Sequence, residues 1–203
     1  MPTPQLRSNI TYLNPVHISQ HCFKRREFIP TPPHQLWQIE QGFVRTLTWD
    51  ENGNVSTLGI WGPGDVVGLP LTQVEPYYVV CLGPVEAKLL ANRCHWSMEA
   101  MLCHIQQTEA LLQITRGKRI CDRLQQLLIW LAQRFGYQTE QGQVTELQIT
   151  HQEIAETLGT SRVTITRLLK VLEQEGFMRR SRKRYLLLHR PNARVPSCLK
   201  PIV

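Results

Sequence analysis

The sequence predicts an α+β fold made of an antiparallel β domain, a long helix and a C-terminal winged helix-turn-helix. Three observations predict it: alternating apolar residues with tight turns from 36 to 90, an apolar seam at helical spacing from 98 to 115, and two helical patterns followed by a basic hairpin from 150 to 188. With 203 residues, 42% of them hydrophobic, the chain can fill more than one small core.

The β domain is predicted mainly from residues 36–68. A strand pattern, LWQIEQGFVRTLTW, leads into a polar turn at 50–54, a second strand, VSTLGIW, and a tight turn at 62–65. Residues 77–90 add at least one further strand. Periodicity alone therefore predicts a small antiparallel β domain.

The pattern becomes helical after position 95. Met98, Leu102, Ile105 and Leu112 recur at steps of four, three and seven residues, a spacing typical of two helices that pack along each other. These four residues are the predicted dimer interface, and packing of the helix on its own β domain is the alternative. Gly117 interrupts the helical pattern and marks either a hinge or a point of close packing.

Residues 150–175 carry the spacing of a helix-turn-helix. Thr150 followed by Glu153 is a capping box, which predicts a first helix from position 151 to about 157. Ala155 allows two helices to approach, Gly159 supplies the turn, and the second helix is predicted to start near Ser161. The unit as a whole indicates sequence-specific DNA binding.

The second helix of this motif is amphipathic, and a hairpin follows it. Its buried face is predicted to be Ile165, Leu168, Leu169 and Leu172, and its exposed face Val163, Thr166, Arg167 and Lys170. Gly176 is a candidate helix end. Residues 177–180 and 184–188 are then predicted to pair as strands, which forms a wing at about 177–189.

Positive charge is concentrated in the C-terminal part of the chain. Residues 137–203 hold eleven Lys or Arg and six Asp or Glu, so that +5 of the total net charge of +7 lies there. Because DNA binding depends on neutralising phosphates, this asymmetry favours double-stranded DNA as the partner. A basic adaptor that docks an acidic protein partner through the C-terminal domain is the alternative.

The run GTSRVTITRLL, with the amphipathic stretch DRLQQLLIWLAQRFG before it, resembles the DNA-binding domain of the catabolite activator and fumarate-nitrate reductase regulator (CRP/FNR) family, in particular its cyanobacterial nitrogen-regulator branch. The resemblance implies an antiparallel double-stranded β-barrel of the cyclic-nucleotide-binding type as a sensor-like domain over 1–94. It further implies a dimerisation helix over 95–119 and a winged helix-turn-helix domain over 120–203.

The resemblance also assigns residues to DNA recognition. Arg162 and Arg167 are expected to read guanines, because an arginine fork can pair with O6 and N7 together. Catabolite-activator-type proteins carry Glu where this chain has Val163, so we expect a palindrome of GTA and TAC half-sites rather than a TGTGA core. The remaining predicted DNA-binding residues, most of them phosphate contacts, are Ser161, Thr164, Thr166, Lys170, Thr150, Arg182 and Lys183.

The identity of an effector is not fixed by the sequence. No arginine occurs between Arg45 and Arg93 to pair with a cyclic nucleotide phosphate, so cyclic AMP is not expected and no cofactor is predicted. The nitrogen-regulator branch implies a 2-oxoglutarate-like effector as an alternative, with Gly68, Leu69 and Lys118 as candidate residues. A solvated Lys118 and a protein that needs no effector are the competing interpretations.

Other classes of function find little support in the sequence. No catalytic motif occurs, so the protein is not expected to be an enzyme. Six cysteines lack a repeated short spacing, and the irregular cluster His17, His21, Cys22 and His34 is not expected to bind a metal. Without an apolar run of spanning length or a signal region, we expect a cytoplasmic protein that does not contact membranes.

The sequence therefore predicts a DNA-binding transcriptional regulator that acts as a homodimer on a palindromic promoter site. Its role as activator or repressor stays open, and RNA polymerase is an expected further partner.

Overall fold

The computed structural model describes residues 20–90, 96–181 and 184–188. The strands are β1 (Gln20–Phe23), β2 (Phe28–Ile29), β3 (Leu36–Gln41), β4 (Val44–Trp49), β5 (Val55–Trp61), β6 (Val66–Val67), β7 (Tyr78–Cys81), β8 (Val85–Leu90), β9 (Gly136–Thr139), β10 (Gly142–Thr145), β11 (Met178–Ser181) and β12 (Arg184–Leu188). The helices are α1 (Met98–Thr115), α2 (Ile120–Phe135), α3 (His151–Leu158) and α4 (Arg162–Gln174), with a 3-10 turn at Leu69–Leu71. The predictions for Arg182, Lys183 and the tail 191–203 lie outside the described residues.

The described residues 20–90, called the β region below, form two four-stranded antiparallel sheets with the strand orders β1-β8-β3-β6 and β2-β7-β4-β5. Both sheets contribute to one apolar core, which includes Trp37 and Ala87 from the first sheet and Val44, Trp61 and Val79 from the second. The predicted α+β fold is confirmed, and its β part consists of these two antiparallel sheets packed around a shared core.

The stretch LWQIEQGFVRTLTW, predicted as one strand, is two strands in different sheets. β3 ends at Gln41 and β4 begins at Val44, and Gly42 between them has a φ of 83°. A Cβ atom on Gly42 would lie 2.1 Å from the Pro84 carbonyl oxygen, so only glycine lets the chain cross from sheet to sheet here. The crossing leaves no mark in the sequence pattern, because the contact that requires it is made with Pro84, far along the chain.

Helix α1 packs against the β region through one of its faces. The ring of His104 stacks on Trp61 with centroids 4.0 Å apart, and its Nδ1 lies 3.0 Å from the Val66 carbonyl oxygen. A carbonyl can only accept, so Nδ1 carries the proton and donates. Leu111 and Ile114 near the end of α1 are buried.

Gly117 lies between α1 and α2, where the sequence left a hinge and close packing as alternatives. A Cβ atom at this position would approach Arg123 Cγ to 3.0 Å, which favours the packing role. The Arg123 guanidinium donates from Nη1 to the carbonyls of Thr115, at 3.2 Å, and of Leu158, at 3.1 Å. It therefore bridges the C-terminal ends of α1 and α3.

Helices α2, α3 and α4 enclose the C-terminal core together with a sheet that, in the described residues, has the order β11-β12-β10-β9. This core does not stop at the domain edge, because Ile60 and Leu82 of the β region belong to the same buried cluster. Phe135, the last residue of α2, makes the connection: its ring lies 5.3 Å from that of Phe43 and 5.8 Å from that of Trp130. The β region and the helix-turn-helix therefore share a continuous apolar contact.

None of the helices in the described residues has both the length and the apolar character needed to cross a membrane.

We expect Phe135→Ala to lower the free energy of unfolding by about 3 to 5 kcal/mol, because it removes a buried ring at the contact between the C-terminal core and the β region. Phe28→Ala is the matched control, since Phe28 is 53% exposed whereas Phe135 is 7% exposed. The control should cost at most about 1 kcal/mol. Urea denaturation measures both losses, and equal losses would contradict the role given to Phe135.

Candidate DNA-binding interface

Local capping sets the geometry of the helix-turn-helix. Thr150 Oγ1 accepts from the Glu153 amide at 3.2 Å, and Glu153 Oε2 accepts from the Thr150 amide at 2.6 Å, so the predicted capping box is confirmed. Gly159 ends α3 with a φ of 62°, in the left-handed region that favours glycine. Ser161 then caps α4 by accepting from the Thr164 amide at 3.1 Å.

The two faces of α4 differ as predicted. Ile165, Leu169 and Leu172 are buried, and Leu168 is partly buried. On the opposite side, solvent reaches a set that we call the DNA face: Arg162, Val163, Thr166, Arg167 and Lys170. Val163 is 78% exposed, so its methyl groups are accessible on this side of the helix. The α4 helix thus presents two arginines, a lysine, a hydroxyl and an apolar group together.

His151, at the start of α3, is not among the residues predicted to bind DNA, but it contacts the exposed face of α4. Its Nδ1 lies 2.8 Å from Thr166 Oγ1, and the Thr166 hydroxyl donates to the Arg162 carbonyl at 2.9 Å. Burial, followed by the charges of Arg180 and Arg162, lowers the pKa of His151. The available sequence signal was its place beside the cap Thr150, in the first turn of the leading helix.

The wing is built as a hairpin of β11 and β12, but one of its basic residues is already paired. Arg180 Nη2 lies 2.9 Å from Glu173 Oε2, and the Arg180 amide donates to Glu173 Oε1 at 3.2 Å. These contacts lower the pKa of Glu173, the hydrogen bond from the Arg180 amide most of all. The β11 strand is thereby tied to the end of α4.

A cavity of about 300 Å³ lies between the β region and α1, and we call it the α1 cavity. Its polar lining includes Thr46, Tyr77, His104, Thr108 and Glu109. No lysine or arginine of the described chain lines it. The α1 cavity therefore offers hydroxyls, an imidazole and a carboxylate to a ligand.

The three predicted effector residues lie elsewhere. Gly68 precedes the 3-10 turn and Leu69 begins it, while Lys118 is exposed between α1 and α2. None of them is among the described residues that line the α1 cavity, and Leu69 instead borders a second depression beside Pro76 and Tyr78.

The predicted dimer interface forms an uncovered stripe on α1. Its members, called the α1 seam, are Met98, Leu102, Ile105 and Leu112. Each of them is more than half exposed in the single chain. Apolar side chains in a row at this exposure mark a surface suited to a partner.

Comparison with known proteins identifies the group to which this architecture belongs. Residues 118–193 match the Crp-like helix-turn-helix domain family. The regulatory protein CysR of Synechococcus elongatus is 40% identical over 175 residues, which are 85% of this chain and 84% of the relative. The chain belongs to the CRP/FNR family of transcriptional regulators. As a member of the family it is a transcriptional regulator with a DNA-binding helix-turn-helix.

Other relatives of this CRP/FNR regulator agree. The global nitrogen regulator of Synechocystis is 34% identical over an alignment of 181 residues, and the match covers 80% of this chain and 79% of the relative. The solved structure of TTHB099, a CRP-family transcriptional regulator of Thermus thermophilus, matches with a TM-score of 0.68 over 83% of this chain and 92% of that chain, at 22% identity. FixK2 of Bradyrhizobium japonicum matches with a TM-score of 0.69 over 84% and 92%, at 18% identity. These two structures support the fold alone.

His104 should make the stability of this CRP/FNR regulator depend on pH. Burial lowers the pKa of His104 below 6.5, against the opposing effects of the Val66 carbonyl and Asp65. As the pH falls from about 7 to about 5, the unfolded chain takes up a proton on this histidine before the folded protein does, so the free energy of unfolding decreases. The stability advantage of the wild type over His104→Gln, measured by urea denaturation, should therefore shrink toward pH 5.

Thr108→Val is the control for this measurement, because it alters the same cavity wall without an ionisable group. Its difference from the wild type should be independent of pH in this range, and His151 titrates equally in all three proteins. A wild-type advantage over His104→Gln that is constant or grows as the pH falls would contradict the prediction.

Proposed function

We propose that this CRP/FNR-family regulator acts as a homodimer on a palindromic promoter site with GTA and TAC half-sites, without a requirement for cyclic AMP. In this proposal residues 1–94 form a sensor-like domain, 95–119 the dimerisation helix and 120–203 the DNA-binding domain. RNA polymerase is the further partner through which bound protein activates or represses.

The observation that carries the proposal is the solvent-exposed DNA face of α4. Arg162 and Arg167 stand on it with Val163 between them in sequence and Thr166 beside them, all at the start of the helix, where recognition helices contact base edges. Arginine can pair with guanine in a bidentate manner, and an exposed valine can pack on a thymine methyl group. That combination suits the GTA element of the half-site.

Dimerisation is supported by the α1 seam. A palindrome is read by two copies related by a two-fold axis, with recognition helices about 34 Å apart. Burying the seam between two α1 helices would remove four large apolar side chains from water and place the two DNA faces at a fixed separation.

The effector part of the proposal depends on charge. Residues 46–92 contain no arginine for a cyclic nucleotide phosphate. An anion such as 2-oxoglutarate would also need cations, and among the described residues the α1 cavity presents the carboxylate of Glu109 instead. Gly68, Leu69 and Lys118 stay a secondary hypothesis for such an anion, and an effector-free, DNA-competent dimer is favoured.

Fluorescence anisotropy of the purified protein tests the proposal. It compares a GTA/TAC palindrome with a scrambled duplex of equal length, at about physiological salt and above. We expect two chains per palindrome and a preference for the palindrome over the scrambled duplex that persists as salt rises. An adaptor with a nonspecific basic surface would bind both duplexes equally, and salt would weaken its binding to both. Selection from random sites that returns a TGTGA core would contradict the half-site.

Two variants separate base reading from phosphate contact. Arg167→Ala should weaken binding by about 1 to 3 kcal/mol and relax discrimination at one base pair. Lys170→Ala, the matched control on the same DNA face, should weaken cognate and scrambled DNA alike and reduce the salt slope by about 1. Equal losses on both duplexes for Arg167→Ala would refute its base-reading role.

A further inference from the structure

A buried charge connects the β region directly to the helix-turn-helix. Arg45 on β4 is only 7% exposed, although it belongs to the outer side of its sheet. Its Nη1 lies 2.6 Å from Glu156 Oε2 on α3, a residue 111 positions later in the chain. The same Nη1 lies 3.4 Å from Thr57 Oγ1 on β5. An arginine of the β sheet is thus paired with the first helix of the helix-turn-helix.

Neighbouring contacts extend this connection. Thr57 Oγ1 lies 3.1 Å from Thr157 Oγ1, the residue next to Glu156 on α3. The other Glu156 oxygen accepts from Gln152 at 2.9 Å, so the carboxylate is oriented from both sides. We call Arg45, Thr57, Glu156 and Thr157 the polar latch.

Two further ion pairs lie between the β region and the helical part, and one of them joins Arg25 to Glu153 of α3 at 4.0 Å. Asp65 pairs with Arg134 of α2, one residue before the apolar contact of Phe135. Asp65 also accepts from the Gly62 amide at 2.8 Å, which fixes its carboxylate at the tight turn after β5. The end of α2 is therefore anchored independently of the latch on α3.

The polar latch is poorly explained as a source of stability. Removing both charges of an ion pair from water costs free energy that their attraction commonly does no more than offset. Arg45 Nε is buried and has no hydrogen-bond partner in the described part of the chain, which adds to the cost. The apolar contact of Phe135, by contrast, holds the parts together but has no preferred direction. A directional contact on α3 supplies what the apolar contact lacks, namely orientation.

We propose that Arg45 is a positioning residue for DNA recognition: through Glu156 it sets the orientation of α3, and with it α4, relative to the β region and the α1 seam. This inference rests on the proposed function, because orientation matters only when two recognition helices must reach one palindrome. Arg45 itself contacts no DNA.

Helices α3 and α4 are packed closely enough to move as one unit. Ala155 and Leu158 of α3 pack in the same buried cluster as Ile165 and Leu169 of α4. The turn at Gly159 and the contact between His151 and Thr166 join both ends of α3 to the first half of α4. A tilt of α3 that follows loss of the latch would therefore carry the DNA face with it. In a dimer each tilt occurs twice, so the separation of the two DNA faces would change.

The test measures how strictly the protein reads half-site spacing. Fluorescence anisotropy measures binding to three kinds of DNA: palindromes of the preferred spacing, palindromes with one or two base pairs added or removed, and a duplex with a single half-site. The proteins compared are the wild type, Arg45→Met, Glu156→Gln and the double variant Arg45→Met/Glu156→Met. Thermal unfolding is recorded for each. Lys88→Met is the matched control, because it removes a positive charge from β8 in the other sheet.

We expect both single variants to lose at least about tenfold in affinity for the preferred spacing, a coupling of ordinary size between sites. Their affinity for the single half-site and for altered spacings should change much less, so the spacing preference flattens. The double variant should recover thermal stability, since no charge is left unpaired, but not the spacing preference. Lys88→Met should behave as the wild type does.

Three experimental outcomes would each overturn the role of Arg45. A folded Arg45→Met or Glu156→Gln protein with the spacing preference of the wild type overturns the positioning role. Parallel losses on palindrome, half-site and thermal stability in both single variants would also overturn it, because they would make the latch a structural contact only. A wild type without any palindrome preference overturns the proposed function first, and the inference with it.

Discussion

The apolar contact at Phe135 is the constraint on which the rest of the arrangement depends. It makes the core of the helix-turn-helix continuous with the outer side of a β sheet, through Phe43, Ile60 and Leu82. Because the contact excludes water, it gives the two parts one shared driving force for packing. It also brings Arg134 beside Asp65 and α3 beside β5, so that polar groups distant in sequence become partners. Without this burial the charged groups would be solvated, and the ion pairs would not hold one fixed geometry.

The local features of the helix-turn-helix could be predicted from the sequence, because each depends on residues close together in the chain. A cap at Thr150, a left-handed glycine at Gly159 and an apolar stripe through Ile165 each depend on neighbours inside one or two turns. The same holds for the exposed DNA face, since residues opposite a buried stripe must face solvent when no other element covers them. The resemblance to a known family added residue roles to this local pattern, but the pattern itself stands on spacing.

What the sequence did not predict has causes that lie far apart in the chain. The crossing at Gly42 depends on the carbonyl of Pro84, and strands β1 and β2 are paired with strands near positions 80 to 88. In the sequence Arg45 marks only the edge of a stretch without arginines, because nothing near it indicates Glu156 as a partner. The sequence marks His151 only as a helix start, since its contact with Thr166 requires the turn to fold α3 against α4. Long-range pairings of this kind leave no periodic signal.

The fold connects the α1 seam and the DNA face by two routes of different chemistry. One passes through Arg123, whose Nη1 donates to the carbonyls of Thr115 and Leu158, the last residues of α1 and α3. A movement of α1 would therefore be transmitted to α3 through this side chain. The other passes through the sheets, from the α1 cavity and its His104 and Trp61 stack to Arg45 on the outer side of the same sheet. A ligand in the α1 cavity would contact His104 and Trp61 and so act on the second route. Such a ligand would reach α3 only through β4, and it would change the orientation of α3 only by binding one packing of β4 more tightly than another.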